Sequence, residues 1–370
     1  MGIYTVGENI KTGKVENILL LTADFPPARG GIAKASSNLL KLVQRRYNVK
    51  TLVFNIEGRS RDNTEYIQAG IVKIPPIIRQ YLKNNNVDMI MVMTIFPLGW
   101  ILPYVSSGIP SVYFIYGSEL IEKNRYKLRP SHNIILKNAY RTIAISRFTA
   151  SLVKTDADIF YPLIDSGQYN TSMDRKHKDY FTIGSIGRIV RHKNYRAVLE
   201  CMASISRRVE SATGKSVKYQ IAGTGPGLTD LQDIIDRNEL GEHAEILGNI
   251  DDSQRDRFYS SIDVLAVPSI TTDRAVEGFG LVVQEAGLFG VPSAGFSSGG
   301  LAESIEDSEL LADEGDQKGI EDIIVKLLTD NQFYNKKSGE ALSRTDKYKI
   351  SDIRLDDLER ILGIGSGGRI

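Results

Sequence analysis

Residues 275-AVEGFGLVVQEAGLFGVPSAG-295 lead from a glycine-containing loop into an apolar helical stretch and then into a β-rich run. Gly278 and Gly280 disfavour a helix interior, whereas the residues from Leu281 onward are apolar and periodic, so the helix is predicted to begin there. The run 263-DVLAVPS-269 before this stretch and the run 291-VPSAGF-296 at its end have the composition of buried strands. A strand, a helix and a second strand in this order form the repeating unit of a parallel α/β sheet.

The same alternation continues along the chain and predicts two doubly wound α/β domains. A helical stretch at 31–47 separates the first two of the predicted strands, which are 17–25, 49–56, 87–94, 110–117, 141–146, 181–187, 217–223, 244–250, 263–269 and 291–296. The polar segment 165-DSGQYNTSMDRKHKD-179 follows neither period and is predicted to be a linker. The domains are therefore expected at residues 1–165 and 166–350, with ligands bound in a cleft between them at the carboxyl ends of the strands.

The composition agrees with two soluble domains. A chain of 370 residues with 42% hydrophobic residues is long enough for two cores. The single cysteine, Cys201, excludes an internal disulfide framework. Polar residues interrupt the N-terminal stretch 1-MGIYTVGENIKTGKVEN-17, where a signal peptide needs an apolar core, so a cytoplasmic location is expected.

Residues 89-MIMVMTIFPLGWILPYVSSGIPSVYFIYGS-118 carry no charged side chain and are long enough to span a bilayer. The prolines and glycines in this stretch divide it into a β-rich piece, a short helical piece and a second β-rich piece. A buried strand-helix-strand unit is therefore the favoured interpretation, and a membrane span is the alternative.

The charge is unevenly distributed although the net charge is only +1. Residues 1–165 contain 21 Lys and Arg against 12 Asp and Glu, and the rest of the chain has an acidic excess. The segment 123-KNRYKLRPSHNIILKNAYR-141 contains six basic residues and no acidic one. It is either a solvated basic face or a surface that binds anionic lipid or an acidic acceptor. Nucleic acid is not expected as a partner, because this half has no recognisable nucleic-acid-binding module.

Three segments indicate a binding site for a diphosphate. Free N–H groups at Phe279, Gly280 and Leu281, at a helix start, suit phosphate oxygens. Arg188, Arg191 and Lys193 follow a predicted strand in 183-IGSIGRIVRHKNYRAVLE-200 and need anionic partners. Gly30 and Gly31 occupy a third strand-to-helix turn, 24-DFPPARGGIAK-34, where they allow close backbone approach.

Two glutamates, Glu277 and Glu285, lie next to the predicted phosphate site, where a carboxylate would repel a phosphate. A nucleoside diphosphate sugar removes this conflict, because Glu285 would accept hydrogen bonds from the ribose and Glu277 would face the sugar. Taken alone, however, the pair also fits an ordinary capping and surface role.

These segments together resemble the retaining GT-B glycosyltransferases of family GT4 over nearly the whole chain. The resemblance is strongest in four motifs that occur in the family's order and approximate spacing: 187-GRIVRHKN-194, 222-AGTGPG-227, 264-VLAVPS-269 and 277-EGFGLVVQEAGLFGVP-292. It implies two Rossmann-like domains that face each other across a cleft. The N-terminal domain would hold a glycan or lipid-linked acceptor, and the C-terminal domain would hold a UDP- or GDP-linked sugar. The helix at about 351–363 would pack back on the N-terminal domain.

The resemblance also implies the site residues. It gives Glu277, Arg188, Lys193 and Tyr116 catalytic positions, and it places Tyr116 and Glu119 on the acceptor side. The residues expected to bind the donor are Gly30, Gly31, Arg188, Lys193, Gly225, Ile250, Gly278, Phe279, Gly280, Leu281 and Glu285.

One motif departs from the family pattern. In 116-YGSE-119, Tyr116 stands where many members have a histidine. A phenol with a pKa of about 10 is a poor base at neutral pH, although it still donates a hydrogen bond. A front-face mechanism, in which the leaving phosphate takes the acceptor proton, tolerates this change. The alternative is a non-catalytic GT-B protein that binds a nucleotide sugar or supports a partner enzyme.

No metal or other cofactor is expected, because the four histidines are scattered and the turn containing Asp156 and Asp158 has an ordinary explanation. The resemblance implies synthesis of a cell-surface polysaccharide or lipopolysaccharide by a cytoplasmic or peripheral membrane protein.

Overall fold

The structure is a computed structural model that describes residues 14–28, 30–60, 63–106, 108–121, 129–173 and 178–364. The chain divides into two compact units. Unit 1 comprises Met1–Leu163 together with Ile350–Ile370, and unit 2 comprises Ile164–Lys349. The boundaries expected after residues 165 and 350 lie within two residues of this division.

Unit 1 is built on a parallel sheet with the strand order β3-β2-β1-β4-β5-β6-β7 in its described part. Strand β1 pairs with both β2 and β4, so the strand order reverses beside it. Parallel α/β sheets bind ligands at the carboxyl ends of the strands next to such a reversal. The strands are β1 Asn17–Thr22, β2 Asn48–Phe54, β3 Thr64–Ile67, β4 Met89–Val92, β5 Ser111–Ile115, β6 Arg141–Ala144 and β7 Asp158–Ile159.

Unit 2 repeats this topology with the strand order β10-β9-β8-β11-β12-β13, again parallel throughout its described residues. The reversal lies between β8 and β11. The strands are β8 Tyr180–Ile186, β9 Ser216–Ala222, β10 Ala244–Gly248, β11 Val264–Val267, β12 Ser293–Phe296 and β13 Leu311–Ala312. The expectation of two Rossmann-like α/β domains is confirmed.

The helices of unit 1 are α1 Gly31–Val43, α2 Ile74–Asn84, α3 Ser118–Ile121, α4 Arg129–Lys137, α5 Arg147–Ser151 and, from the C-terminal segment, α13 Asp352–Leu362. Those of unit 2 are α6 Arg196–Thr213, α7 Leu228–Arg237, α8 Asp252–Ser261, α9 Leu281–Leu288, α10 Leu301–Ile305, α11 Gln317–Thr329 and α12 Asn331–Thr345.

The uncharged stretch 89–118 forms part of the core of unit 1. It contains β4 and β5, and Leu98 and Leu102 from the piece between them are fully buried in the same apolar cluster. None of the helices in the described ranges is long and apolar enough to cross a membrane. The interpretation as a buried strand-helix-strand unit holds for this stretch.

Helix α13 packs on α1 within unit 1. Arg45 forms an ion pair with Asp352 at 2.9 Å, and the hydroxyl of Tyr47 donates to Glu359 at 2.8 Å. The hydroxyl of Tyr140 also donates to the carbonyl oxygen of Leu362 at 2.9 Å. The C-terminal segment is therefore fastened to unit 1 by charged and neutral hydrogen bonds.

Three features of the local structure differ from the sequence analysis. The edge strands β3, β7 and β13 were not predicted, because two to four partly exposed residues show no period. Helix α1 ends at Val43 rather than near residue 47. The predicted linker is partly packed, since Tyr169 is buried and the backbone N–H of Asn170 donates to Asp256 at 2.8 Å. Residues 174–177 of that linker lie outside the described residues.

The basic segment 123–141 is described only in part, because residues 122–128 lie outside the described ranges. Within it, Leu136 is buried in the core of unit 1, whereas Ile134 is exposed, so these residues do not form one apolar face. Arg141 donates to the carbonyl oxygen of Ile361 at 3.1 Å. Leu136 and Arg141 thus have structural partners within unit 1.

Candidate functional site

The site in unit 2 is assembled from loops at the carboxyl ends of β8 and β11. After β8, the chain forms a short 3-10 turn at Arg191–Lys193, and Asn194 adopts a left-handed conformation with φ 51°. The backbone N–H of Ile270, in the loop after β11, donates to the carbonyl oxygen of His192 at 2.7 Å. This hydrogen bond holds the two loops side by side.

Lys193 and Glu277 form an ion pair across these loops. Lys193 Nζ lies 2.5 Å from Glu277 Oε2, and the two side chains are only 16% and 14% exposed. The hydroxyl of Ser269 lies 3.4 Å from the same oxygen. Burial by itself would raise the pKa of Glu277, but Lys193, His192 and Ser269 outweigh it, so the pKa lies below its ordinary value. Glu277 is therefore a carboxylate at neutral pH.

The backbone around Glu277 is held by a glycine pair that the sequence analysis missed. The N–H of Gly300 donates to the carbonyl oxygen of Glu277 at 2.8 Å. A Cβ atom on Gly300 would overlap the carbonyl oxygen of Gly278, and one on Gly299 would overlap that of Glu277. In the sequence, the signal for this contact is the Gly-Gly pair between β12 and α10. This pair lies at the carboxyl ends of the strands, as the Glu277 loop does.

Helix α9 begins beside the ion pair, after Gly280 with φ 88°. A side chain at Gly280 would meet Leu301 Cδ2 at 2.7 Å, so both its conformation and its packing favour glycine. The N–H groups of Gly280 and Leu281 have no hydrogen-bond partner among the described residues. Phe279 is buried, with its ring 5.4 Å from that of Tyr348. The loop is thus anchored by Phe279 and leaves two donors at the helix start.

Glu285 has a different set of partners from Glu277. It is buried on α9, and Tyr259 Oη donates to Glu285 Oε2 at 2.7 Å. The Tyr169 hydroxyl also hydrogen-bonds this carboxylate, and Arg255 lies 4.2 Å from the centre of the Tyr169 ring. Burial first, and Glu285 second, raise the pKa of Tyr259, so this phenol stays protonated and donates. The sequence analysis predicted neither phenol.

Arg188 and Gly225 differ in what surrounds them. Arg188 is exposed and makes no ion pair with any described residue, so its charge is available to a ligand. A Cβ atom on Gly225 would overlap the carbonyl oxygen of Ile189, and the N–H of Ile189 donates to the carbonyl oxygen of Thr224 at 2.8 Å. The glycine is explained by this close packing of two loops. Ile250 is partly buried against the core of unit 2.

The predicted residues of unit 1 lie at the carboxyl ends of β1 and β5. Tyr116 is buried directly after β5, and its backbone N–H donates to Glu119 Oε1 at 2.6 Å. Burial, with smaller contributions from Glu119 and Asp24, raises the pKa of Tyr116 far above that of a free phenol. Tyr116 is therefore a neutral hydroxyl and not a base.

Gly30 and Gly31 stand at the start of α1. Among the residues that the structure describes, a side chain at Gly31 would meet no atom within 4 Å, and one at Gly30 would meet only Asp24 Oδ2, at 4.0 Å. Described atoms therefore leave space for a side chain at both glycines. Burial raises the pKa of the Asp24 carboxyl beside them.

The described residues contain no group of three or more His, Cys, Asp or Glu side chains that could hold a metal ion.

Comparison with known proteins finds a family that matches just under half of the chain and relatives that span most of it. The profile of the family "Glycosyl transferases group 1" matches residues 171–344. A GDP-mannose-dependent alpha-(1-6)-phosphatidylinositol monomannoside mannosyltransferase of Mycobacterium tuberculosis (strain CDC 1551 / Oshkosh) is 22% identical over an alignment of 353 residues. The alignment covers 85% of this chain and 90% of the relative.

Two solved structures share the fold of the whole chain. Anabaena Alr3699/HepE in complex with UDP-glucose superposes with a TM-score of 0.73 at 18% identity, covering 93% of this chain and 99% of that one. Sucrose-phosphate synthase from Thermosynechococcus elongatus superposes with a TM-score of 0.74 at 18% identity, covering 94% and 99%.

Proposed function

Because this chain belongs, through residues 171–344, to the glycosyl transferases group 1, we propose that it transfers a sugar from a nucleoside diphosphate to a hydroxyl group of a glycan or lipid-linked acceptor. The Lys193–Glu277 ion pair beside the start of α9 carries this proposal. It places a cation, a carboxylate and two unpaired backbone N–H groups at one edge of the sheet. Such an arrangement suits a ligand with a diphosphate at one end and a neutral sugar at the other.

The diphosphate would lie against Arg188, Lys193 and the N–H groups that begin α9. Each charge-assisted hydrogen bond of this kind contributes about 1.5–3 kcal/mol. These groups would stabilise the negative charge that develops on the diphosphate as it leaves, which is the main electrostatic requirement of the reaction. Neutralisation by Arg188 and Lys193 removes the need for a metal ion.

Glu277 would face the donor sugar once Lys193 turns toward the phosphate. A carboxylate there would accept hydrogen bonds from sugar hydroxyls and stabilise positive charge at the anomeric carbon. Glu285 already binds two phenols, but a carboxylate offers about four lone-pair positions, so ribose hydroxyls remain possible ligands. We assign Glu285 to the ribose on this basis.

Retention of configuration is the stereochemical outcome that we propose. The bond between the anomeric carbon and the phosphate oxygen breaks, and the acceptor oxygen bonds to that carbon on the same face. The acceptor proton passes to the leaving phosphate oxygen. The neutral, buried Tyr116 supports this route, because it is unsuited to take that proton.

The donor is proposed to be UDP- or GDP-linked. The mycobacterial relative is described as GDP-mannose-dependent, and Alr3699/HepE was solved with UDP-glucose. The described acceptor of the mycobacterial relative is a phosphatidylinositol monomannoside, which supports a lipid-linked acceptor here. We assign acceptor binding to unit 1, where Tyr116 and Glu119 follow β5 at the carboxyl end of the sheet.

The proposed setting is the synthesis of a surface polysaccharide or lipopolysaccharide by a cytoplasmic protein at the inner face of the membrane. The basic segment 123–141 supports contact with anionic lipid. Reversing the charges of Lys123, Arg125 and Lys127 should release the protein from sedimenting vesicles that contain phosphatidylglycerol. Equal sedimentation of wild type and variant would contradict this membrane contact.

A ligand panel tests the donor site. UDP, GDP, ADP, TDP and CMP are added to the wild type and to Lys193→Met, and each melting curve is compared with that protein's own curve without ligand. A ligand at 100 times its dissociation constant stabilises the wild type by about 2.7 kcal/mol. We expect one diphosphate to act on the wild type and to have much less effect on the variant. An equal response of the two proteins would refute the role of Lys193.

The second candidate is a non-catalytic nucleotide-sugar-binding protein, which the buried Tyr116 favours. Product analysis separates the two functions. An enzyme releases nucleoside diphosphate and an α- or β-glycoside whose configuration is read by NMR, whereas a binding protein does neither.

A further inference from the structure

Tyr195 is a buried phenol with an unused hydroxyl. It lies directly before α6 and is only 4% exposed. Its Oη has no hydrogen-bond partner among the residues that the structure describes. An unsatisfied buried polar group destabilises the folded state, so such a group calls for a partner that is absent from the ligand-free chain.

The hydroxyl lies beside the proposed diphosphate site. A side chain built on Gly187 would meet Tyr195 Oη at 3.0 Å and Lys193 Cε at 3.8 Å, so both groups approach the same point of the loop after β8. Glycine leaves that point empty. Burial, followed by electrostatic interactions with Tyr219 and Glu277, raises the pKa of Tyr195, so its hydroxyl remains a donor.

The buried hydroxyls of Tyr219 and Ser185, in the same unit, are satisfied. Tyr219 Oη donates to Ser185 Oγ at 2.8 Å, and Ser185 Oγ donates to the carbonyl oxygen of Ala266 at 2.6 Å. The contrast with Tyr195 is local, since both tyrosines belong to the same core cluster. The described packing therefore provides a partner for the Tyr219 hydroxyl and none for the Tyr195 hydroxyl.

We propose that Tyr195 is a further donor-binding residue whose hydroxyl donates a hydrogen bond to a phosphate oxygen of the nucleoside diphosphate. This inference rests on the proposed function, because it needs an anion at the loop after β8. In the ligand-free chain Lys193 is held by Glu277 close to this hydroxyl. When Lys193 turns toward the phosphate, the Tyr195 hydroxyl gains the partner that the described residues do not supply.

The test compares Tyr195→Phe with the matched control Tyr219→Phe. Both changes remove one buried hydroxyl and keep every carbon atom of the ring. Isothermal titration measures the binding of UDP and GDP to each protein, and thermal unfolding without ligand measures stability. A hydrogen bond to a charged oxygen corresponds to at least a 10-fold change in affinity.

We expect Tyr195→Phe to melt at or above the wild-type temperature and to bind the preferred diphosphate at least 10-fold more weakly. Tyr219→Phe should melt at a lower temperature and keep the wild-type affinity, because it loses a bond that the ligand-free chain already makes.

Three results would overturn the inference. Unchanged diphosphate affinity in Tyr195→Phe would show that the hydroxyl does not contact the ligand. A lower melting temperature of ligand-free Tyr195→Phe would show that the hydroxyl already has a partner. If the wild type binds none of the diphosphates, the donor site proposed for unit 2 fails, and this inference fails with it.

Discussion

Replacing Lys193 by methionine should change both the stability of unit 2 and the dependence of that stability on pH. Methionine keeps the apolar stem but removes the charge, so Glu277 retains only the weak contact with Ser269 at 3.4 Å and the nearby His192. Removing one partner of a buried ion pair costs about 3–5 kcal/mol. Because the two side chains are still 16% and 14% exposed, we take the lower end, about 3 kcal/mol. For a domain of this size the loss corresponds to about 6–12 °C in melting temperature.

The sign of the pH effect follows from the pKa of Glu277. In the wild type the pKa of Glu277 is lowered on folding, so its carboxylate stabilises the protein at neutral pH. This stabilisation is lost as the pH falls through the pKa of Glu277 in the folded protein. Without Lys193 burial dominates and raises the pKa. The variant is then destabilised at neutral pH and recovers as the carboxyl becomes protonated. The difference in unfolding free energy between the two proteins should therefore narrow from pH 7.5 to pH 4.0.

Urea unfolding of unit 2, followed at both pH values, measures this difference. The double variant Lys193→Met/Glu277→Gln serves as the control, since a neutral amide in place of the stranded carboxylate should restore much of the stability at pH 7.5. The reasoning would be refuted if Lys193→Met lost the same unfolding free energy, relative to the wild type, at both pH values. It would also be refuted if the double variant were no more stable than Lys193→Met at pH 7.5.

Three further outcomes follow from the site. Gly300→Ala should reduce sugar transfer strongly and lower the melting temperature of unit 2, because the added methyl group overlaps the carbonyl oxygen of Gly278. A wild-type kcat/KM in this variant would contradict the importance of this contact. Tyr259→Phe should destabilise unit 2 by about 1.5–3 kcal/mol, the value of a hydrogen bond to a charged group. A double-mutant cycle with Glu285→Gln should assign that loss to the pair, and additive effects would argue against it. Removal of divalent ions with EDTA should leave the transfer rate unchanged, and a loss that Mg²⁺ or Mn²⁺ restores would require a metal in the reaction.

The positions of the main strands were predictable because each one is a short, nearly continuous apolar run. Burial on both faces of a parallel sheet demands such runs, as in β4 and β11, whose residues are all buried. The start of α9 was also predictable, since Gly280 and the apolar periodicity from Leu281 mark it. The short strands at the sheet edges were not, because their pairing depends on a neighbour and not on their own pattern.

The role of individual glycines could not be predicted from the sequence. Gly225 was expected to bind the donor, but packing against Ile189 already explains it. Gly300 had no assigned role, yet its N–H holds the carbonyl oxygen of Glu277. A glycine required for close packing and one required for ligand approach look the same in a sequence. Only the atoms opposite the missing side chain distinguish them.

The two α/β domains, the resemblance to a family and the residue types at the proposed donor site could all be derived from the sequence, because they depend on local periodicity and on motifs. Which charges meet depends on the tertiary structure. Lys193 reaches Glu277 across 84 residues of sequence, and Glu285 is shared by two phenols from other segments. The Tyr195 hydroxyl finds no partner within the described part of the chain. The physical reason is that an ion pair or hydrogen bond requires atoms to lie within a few ångströms of each other, and packing across strands and helices sets those distances.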